Sequence, residues 1–393
     1  MITREDIREL AQFNADNDHA CALSFYFEPR TPQNKSHKEE VILVKDLVRD
    51  ALREAEKGGK DGCARADLNR ILVLAEGLHG NQARAKAIFA CAGKNFWREF
   101  DFPPQLPATQ LFVNRQFHLK PLAQLLGAQP RLWAALVDRQ RARFFDLRLD
   151  ELTEREGLFR KPPVRQGRSD GFAGYDGGHA QRRVEDEALH HFKAVAEHLK
   201  NALEAGAFEK LIIGCHDTSW HELEAQLHPY VNSRLLGHFS ADVAKLSSEQ
   251  IRENATRILR ESLDRRRREL VREVLDQAKS NSRGVTGLRR VLRSLELGEV
   301  QTLLIGENFR RPAIECPRCG HVDAHVVRQC PACGHDTRQL DDVCDAIIPV
   351  AIRRDIELFY VKDNEEFDRA GNIAALLRFR ADQSKGNITQ VAS

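Results

Sequence analysis

The sequence lacks a long apolar run and a large excess of charge of one sign. No apolar run approaches the roughly eighteen residues that a bilayer-spanning helix needs, so we expect no transmembrane helix. The first residues do not have the basic-then-apolar order of a secretory signal. The 60 Lys and Arg residues nearly balance the 58 Asp and Glu residues, which leaves a formal net charge of +2. Any affinity for nucleic acid must therefore come from local basic clusters.

The chain also lacks an internal repeat, and its 393 residues exceed what one hydrophobic core normally holds. Five of its nine cysteines are scattered, at Cys21, Cys63, Cys91, Cys215 and Cys344. Three of these lie in apolar runs typical of strands. This pattern indicates a protein of the reducing cytoplasm.

The other four cysteines form two copies of one motif, Cys-Pro-x-Cys-Gly-His. In each copy the proline restricts the backbone, and the glycine permits the positive φ of a tight turn. Two such turns joined by a short strand-forming stretch can arrange four thiolates in the tetrahedron that Zn²⁺ prefers. Four sulfur ligands leave no position open for a substrate, so the motif predicts a structural zinc ion; the alternative is free or disulfide-bonded cysteines. The predicted ligands are Cys316, Cys319, Cys330 and Cys333.

Alternating apolar strands and amphipathic helices predict three α/β domains. We expect them over residues 1–129, 130–245 and 246–393, with the zinc segment inserted at about 310–338. The clearest predicted strands are Cys21–Phe27, Leu132–Val137, Lys210–Gly214, Gln301–Ile305 and Asp355–Val361. The predicted helices include Asp67–Leu78, Val184–Leu203 and a long charged helix from the Ser247 capping box to about Ala278.

A stretch without apolar periodicity, roughly residues 159–181, separates the second domain's opening hairpin from its first long helix. It is rich in glycine and proline, and long irregular segments of this kind are usually functional or disordered. Basic residues within it and just after it can bind phosphate groups. The candidates are Arg165, Arg168, Arg182 and Arg183.

Three segments resemble a known protein family. Residues 287–305 and 371–379 resemble the C-terminal domain of the archaeo-eukaryotic peptide-chain release factors and their Pelota relatives. Residues 134–147 look like the opening hairpin of that family's central domain. The resemblance follows the family's domain order along essentially the whole chain and is weaker in the first domain. It is greatest for the bacterial branch, which includes ribosome-hibernation factors of the Balon type.

The resemblance implies a fold and a set of partners. We expect an RNase H-like central domain and a C-terminal domain related to kink-turn-binding ribosomal proteins, with a zinc-bearing or zinc-derived minidomain inserted. The family binds the ribosomal A site, so the expected partners are rRNA, the P-site tRNA and a translational GTPase, with the protein acting as a cytoplasmic monomer.

Release factors of the family carry a Gly-Gly-Gln tripeptide on a long basic loop that positions water against the peptidyl-tRNA ester. The matching positions here are Gly177, Gly178 and His179, with Gln181 two residues further on. Histidine can donate a hydrogen bond or act as a base, but its ring differs in reach and shape from a carboxamide. The alternative is that the two glycines mark the entry to a helix, with Asp176 as its cap.

Stop-codon reading in the family uses an Asn-Ile-Lys-Ser loop in the first domain. Here the corresponding residues, Asn34-Lys35-Ser36, lack the isoleucine. We therefore expect no decoding, although Lys35 is a candidate contact to RNA in the decoding centre.

Two other groups of residues have a simpler interpretation. His190, His191 and His198 lack partners at metal-ligand spacing, so we expect them to be surface or packing residues. Cys215 ends a predicted strand ahead of His216 and Asp217, and a buried cysteine at a strand end is expected there rather than a nucleophile.

The sequence therefore predicts a ribosome-binding factor for hibernation or rescue. One alternative is a release factor that hydrolyses peptidyl-tRNA through the Gly177-Gly178-His179 segment. A further alternative is a protein that binds RNA or DNA away from the ribosome through its zinc segment.

Overall fold

The structure is a computed structural model, and it describes residues 2, 4–15, 21–28, 37–57, 61–77, 85–102, 108–127, 130–148, 151–159 and 176–380. The chain divides into two compact units. The first combines residues 1–128 with 267–393, and the second holds residues 129–266. No helix in the described ranges is both long and apolar enough to cross a membrane.

Helices and strands are mixed along the whole described part of the chain. The helices are α1 (Arg4–Gln12), α2 (His37–Lys57), α3 (Asp61–Ala75), α4 (Lys120–Gly127), α5 (Asp176–Glu204), α6 (Asp217–Glu224), α7 (Pro229–Asn232), α8 (Ser248–Lys279), α9 (Leu288–Glu296), α10 (Cys344–Arg353) and α11 (Glu365–Arg369). The strands are β1 (Ala22–Phe27), β2 (Ala85–Cys91), β3 (Phe96–Phe102), β4 (Gln110–Asn114), β5 (Leu132–Val137), β6 (Arg141–Arg148), β7 (Glu151–Phe159), β8 (Lys210–Cys215), β9 (Leu235–Ser240), β10 (Gly284–Thr286), β11 (Val300–Gly306), β12 (Ala313–Glu315), β13 (Val322–Asp323), β14 (Arg338–Leu340), β15 (Glu357–Val361) and β16 (Ile373–Leu377).

The N-terminal part of the first unit is an antiparallel sheet in the order β3-β2-β1-β4. Side chains along a strand alternate between its two faces. Leu23, Phe25 and Phe27 of β1 accordingly pack into one core with apolar residues of α2 and α3. The polar side chains of Ser24 and Tyr26 take the opposite face, where both hydrogen-bond to the backbone of His118.

The C-terminal part of the first unit is a second sheet in the order β10-β16-β11-β15. β11 pairs parallel with β15 and antiparallel with β16. β16 is buried along its whole length, and residues from the last third of α8, such as Leu270 and Val274, pack against the sheet. The segment β12–β14 is inserted between β11 and α10 as a small sheet of its own, in the order β13-β12-β14.

Buried polar contacts join the N-terminal and C-terminal parts of the first unit. His118, which follows β4, places its Nδ1 atom 2.5 Å from Oδ1 of Asp345 in α10. Nζ of Lys120 donates to the carbonyl oxygen of Phe309 at 2.7 Å and lies 3.6 Å from Oδ2 of Asp342. Because Phe309 precedes the inserted segment and Asp342 follows it, Lys120 holds both of its ends.

The second unit is a five-stranded sheet in the order β7-β6-β5-β8-β9. β5, β8 and β9 run parallel, while β6 and β7 add antiparallel strands. Phe192 and Leu199 of α5 cover one face, and Ile251 and Ala255 near the start of α8 cover the other. The central strand β5 is therefore apolar throughout, as a strand buried on both faces must be.

Most predicted elements occur at the predicted positions. β1, β5, β8 and β11 agree to within a residue, and α8 extends from Ser248 to Lys279. Among the strands that were not predicted, β3 ends in Arg98-Glu-Phe-Asp-Phe, and β7 reads Glu-Leu-Thr-Glu-Arg-Glu-Gly-Leu-Phe. Both lie at sheet edges, where one face meets water and an apolar run is not required.

Two predicted helices begin earlier in the structure than predicted. α3 begins at Asp61 rather than Asp67, and α5 begins at Asp176 rather than Val184. Both added segments contain glycine, which lowers helix propensity and hides such a start from the sequence pattern. The division into three domains stays a prediction, and α8 starts in the core of the second unit and ends in that of the first.

We expect the substitution Lys120→Ala to lower the free energy of unfolding by roughly 3–5 kcal/mol, because it leaves the carboxylate of Asp342 buried and unpaired. The two side chains are only 14% and 10% exposed. Urea unfolding measures the change. The matched control is Lys362→Ala, which removes an exposed lysine 3.7 Å from Glu307 and should cost less than about 1 kcal/mol. Equal losses for the two variants would show that Lys120 does not hold the inserted segment.

Candidate functional site

The two cysteine motifs form the same turn twice. The amide of Gly320 donates to the carbonyl oxygen of Cys316 at 2.9 Å, and that of Gly334 donates to Cys330 at 2.8 Å. Both glycines have positive φ, +73° and +72°. A Cβ atom at either position would meet no neighbour within 4 Å, so backbone conformation rather than space explains the glycines.

Each turn is closed by one more backbone bond. Cys316 donates its amide to the carbonyl oxygen of His321, and Cys330 donates to that of His335, both at 2.8 Å. The histidine of each motif thus closes its turn through its backbone carbonyl group. In both turns this geometry presents the two thiols of the motif on the same side.

The four sulfur atoms come together between the turns. All four lie within 4.8 Å of one another. The Sγ atoms of Cys316 and Cys333 are 3.4 Å apart, and those of Cys319 and Cys330 are 3.6 Å apart. Sulfurs bound tetrahedrally at the usual Zn–S distance would be about 3.8 Å apart. The predicted ligand set therefore fits a four-coordinate metal ion.

In the cluster, ionisation of one thiol makes ionisation of the neighbouring thiols less favourable. Burial raises the pKa of the Cys316 thiol, but backbone N–H groups of Cys319 and Arg318 donate to its sulfur and bring the pKa down to about 6. The backbone N–H of His321 lowers the pKa of Cys319, yet the neighbouring sulfurs, Cys333 first, raise it overall. One thiolate forms readily and then opposes the next. A bound divalent cation would remove this conflict, because it stabilises several thiolates at once.

The remaining described cysteines do not form a site. Burial raises the pKa of the Cys215 thiol to about 11, with a further contribution from Asp217. Cys215 lies buried at the end of β8, as predicted, and is a poor nucleophile there. Cys91 and Cys344 are buried thiols, whereas Cys21 is disulfide-bonded. The expectation of a reducing environment does not account for that bond.

The histidines of α5 pack against apolar side chains or face solvent, as predicted. The ring of His198 lies 4.5 Å from that of Phe144 and stacks near Trp133, and burial lowers its pKa. His191 is buried and His190 is exposed. We call the inserted segment β12–β14 (Ala313–Leu340) the ribbon. Across the described residues, its four cysteines are the only group of three or more His, Cys, Asp or Glu side chains close enough to hold a metal ion.

The carboxyl ends of β5, β8 and β9 are where ligands bind in many parallel sheets. Two polar side chains there, Asp138 and His216, accept hydrogen bonds from nearby backbone amides. Asp138 accepts from the amides of Gln140 and Arg141, and Nδ1 of His216 accepts from the amide of Thr218 at the start of α6. At this edge Asp138 therefore caps a turn and His216 caps the start of α6.

The glycine segment begins a helix. The backbone of Asp176, Gly177, Gly178 and His179 belongs to the first residues of α5. This agrees with the predicted alternative of a helix entry and differs from the placement on a loop before the helix. The side chains of His179, Gln181, Arg182 and Arg183 lie outside the described residues, as do Lys35, Arg165 and Arg168 altogether.

Comparison with known proteins identifies a family for the second unit. Residues 118–260 match the family model described as "Bacterial archaeo-eukaryotic release factor family 10". This match supports the archaeo-eukaryotic release factor and Pelota family, in its bacterial branch, for that part of the chain. The matched residues include the whole sheet of the second unit and the glycine segment at the start of α5.

Curated relatives extend this similarity over more of the chain. Peptide chain release factor subunit 1 of Pyrococcus abyssi is 24% identical over 309 residues, which cover 71% of this chain and 73% of the relative. The protein of the same name from Archaeoglobus fulgidus is 26% identical over 313 residues, with the same coverage. The chain is accordingly similar to release factors over most of its length.

A solved structure is similar at lower identity. Dom34 of S. cerevisiae, described as a translation termination-like factor, is 11% identical and has a TM-score of 0.40. The match covers 77% of this chain and 81% of that chain. At this score no argument rests on the likeness.

We expect one Zn²⁺ per chain in protein purified without chelators, measured by inductively coupled plasma mass spectrometry. The substitution Cys330→Ser should abolish stoichiometric binding, because a tetrahedral site cannot lose a thiolate without losing most of its affinity. Cys215→Ser is the control and should leave the metal content unchanged. Chelation should loosen the segment β12–β14 while the far-ultraviolet circular dichroism of the rest is retained. Retained zinc in the Cys330 variant would contradict the assignment.

Proposed function

We propose that this release-factor-like protein binds the A site of bacterial ribosomes in hibernation or rescue, without decoding stop codons. The observation that carries the proposal is the family match over residues 118–260, which contains the glycine segment of the central domain. The curated relatives are named release factors and match this chain over most of its length, which supports a ribosomal role for the whole chain.

Two departures from the family pattern favour a protein that only occupies the ribosomal A site over one that hydrolyses peptidyl-tRNA. His179 stands where the family has glutamine, and the decoding loop at Asn34-Lys35-Ser36 lacks its isoleucine. An imidazole cannot present the amide geometry that holds water at the ester in the family's release factors. A protein with both departures would still dock in the A site and exclude other factors from it.

Under this proposal, each residue predicted from the sequence to bind RNA or metal has a role on the ribosome. Arg165, Arg168, Arg182 and Arg183 would bind phosphates of rRNA or tRNA, and Lys35 would contact RNA in the decoding centre. A structural zinc ion would hold the β12–β14 segment in shape. The protein would act as a cytoplasmic monomer, with the P-site tRNA close to its glycine segment and a translational GTPase at its C-terminal domain.

A second candidate function is hydrolysis of peptidyl-tRNA. The retained Gly177-Gly178 pair and the relatives named peptide chain release factor favour it. In this case His179 or Gln181 would orient the attacking water, and the ester bond would break to release peptide and deacylated tRNA.

Ribosome binding is tested by co-sedimentation with bacterial 70S ribosomes. We expect binding at about 100 mM salt and a steep loss as salt rises, because released counterions drive contacts to phosphate. The double substitution Arg182→Glu and Arg183→Glu should weaken binding at least tenfold, on the order expected for two lost phosphate contacts.

The matched control for that experiment is Arg53→Glu with Arg369→Glu, which makes the same change in charge on exposed helix surfaces. If the unmodified protein fails to sediment with ribosomes at moderate salt, the ribosomal function is wrong. Binding of free RNA or DNA would then favour the alternative of a nucleic-acid-binding protein that acts away from the ribosome.

A peptidyl-tRNA release assay on stalled ribosomes separates the two candidate functions. We expect the unmodified protein to release no more peptide than buffer, because His179 does not reproduce the family's carboxamide. The variant His179→Gln restores Gly-Gly-Gln and shows whether the docked segment can reach the ester. Release by the unmodified protein that disappears in His179→Ala would instead establish the hydrolase.

A further inference from the structure

Helix α9 contributes to a basic surface whose residues were not predicted from the sequence to form a site. Helix α9 exposes Arg289, Arg290 and Arg293 on its outer side. Its other side is fixed, because Val291, Leu292 and Leu295 are buried in the C-terminal part of the first unit. The spacing i, i+1, i+4 brings the three guanidinium groups to one face of the helix. We call these three residues the arginine face.

The inserted ribbon lies along this helix and extends the arginine face. His321 pairs with Glu296 near the end of α9, and Nε2 of His325 lies 2.6 Å from Nη2 of Arg289 near its start. The ribbon segment from His321 to His325 therefore runs antiparallel to the helix. The chain then continues beyond Arg289 into Val326, Val327 and Arg328, all exposed.

The carboxylates at this surface pair with histidines of the inserted segment rather than with the outer arginines. Glu296 of α9 accepts from His321, and Oδ1 of Asp323 lies 3.3 Å from Nδ1 of His325. In the part of the chain that the structure describes, Arg290, Arg293 and Arg328 take part in no ion pair. Other exposed helical arginines differ, since Arg369 lies 2.9 Å from Glu365.

We propose that the arginine face and the adjoining Arg328 bind the phosphate backbone of RNA. Guanidinium groups match phosphate geometry with paired hydrogen bonds, and arginines without carboxylate partners are free to make them. An acidic protein partner is the weaker fit. Protein interfaces centre on buried aromatic and apolar anchors, and this surface offers Val326 and Val327 only, 54% and 40% exposed.

The proposal deepens the proposed function, because ribosomal RNA is the RNA that an A-site factor meets. The contact needs no base recognition, since arginine–phosphate contacts position a protein on RNA without reading its sequence. It also gives the ribbon a role beyond its metal: the pairs His321–Glu296 and Arg289–His325 hold Arg328 beside α9.

The test measures binding of the full-length, metal-loaded protein to a fluorescein-labelled RNA hairpin of about 20 base pairs by anisotropy. Titrations between about 50 and 200 mM KCl give the salt dependence of the affinity. The double substitution Arg290→Ala and Arg293→Ala should weaken binding about tenfold at the lower salt and reduce the slope of log K against log salt by about 1.5 to 2. Arg289 is kept, because it contacts the ribbon through His325.

Two comparisons control the test. Arg53→Ala with Arg369→Ala removes the same charge from exposed helices elsewhere and should leave binding within about twofold of the unmodified protein. Arg290→Lys with Arg293→Lys keeps the charge and should restore the salt slope but only part of the affinity. Thermal unfolding should be unchanged in all variants, since the substituted side chains are exposed.

The proposal is overturned if the α9 variant binds the hairpin as the charge-matched control does. It is also overturned if poly-L-glutamate displaces the hairpin at equal charge concentration, which would identify an acidic protein as the partner. Failure of the unmodified protein to sediment with ribosomes, with the α9 effect on the hairpin intact, would count against the proposed function alone.

Discussion

A buried lysine holds the most informative part of this protein in place. Lys120 comes from the helix that ends the N-terminal part, yet its ammonium group contacts Phe309 before the ribbon and Asp342 after it. The neighbouring contact between His118 and Asp345 adds a second buried tie to α10. An ion pair at such depth is costly to desolvate, so it is retained only where its geometry is well satisfied. Through these ties the N-terminal sheet, the C-terminal sheet and the base of the ribbon become parts of one compact unit.

The ribbon itself depends on a local constraint. Two turns with left-handed glycines place four sulfurs so close together that their ionisation is mutually opposed. Only a cation makes that arrangement favourable, which is why the cluster is best understood as a folding element without an open coordination position. Because the ribbon then lies along α9, the same metal would orient a basic surface. The proposed structural metal and the proposed RNA contact would in this way be linked, while the glycine segment of α5 belongs to a different unit of the chain.

Much of the fold was predictable from the sequence, and the exceptions have physical causes. β1 and β5 are apolar because both are buried, and the capping box at Ser247 marks the start of α8. β3 and β7 escaped prediction because edge strands carry charged residues on their open face. The start of α5 at Asp176 was not predicted, because Gly177 and Gly178 have low helix propensity although they belong to the helix. The disulfide at Cys21 was contrary to expectation, since the scattered spacing of the cysteines contains no information about their partners.

The sequence by itself determined the cysteine site, because ligands three residues apart within glycine turns depend only on local backbone geometry. It also contained the family resemblance, in the hairpin at residues 134–147 and the helix–strand segment at 287–305. The tertiary structure alone decided that Lys120 joins both ends of the ribbon, residues that lie about two hundred positions away along the chain. It alone decided that Arg290 and Arg293 form no ion pair within the part of the chain that the structure describes. Both facts depend on which distant side chains come together or stay apart, and no local pattern of residues encodes that.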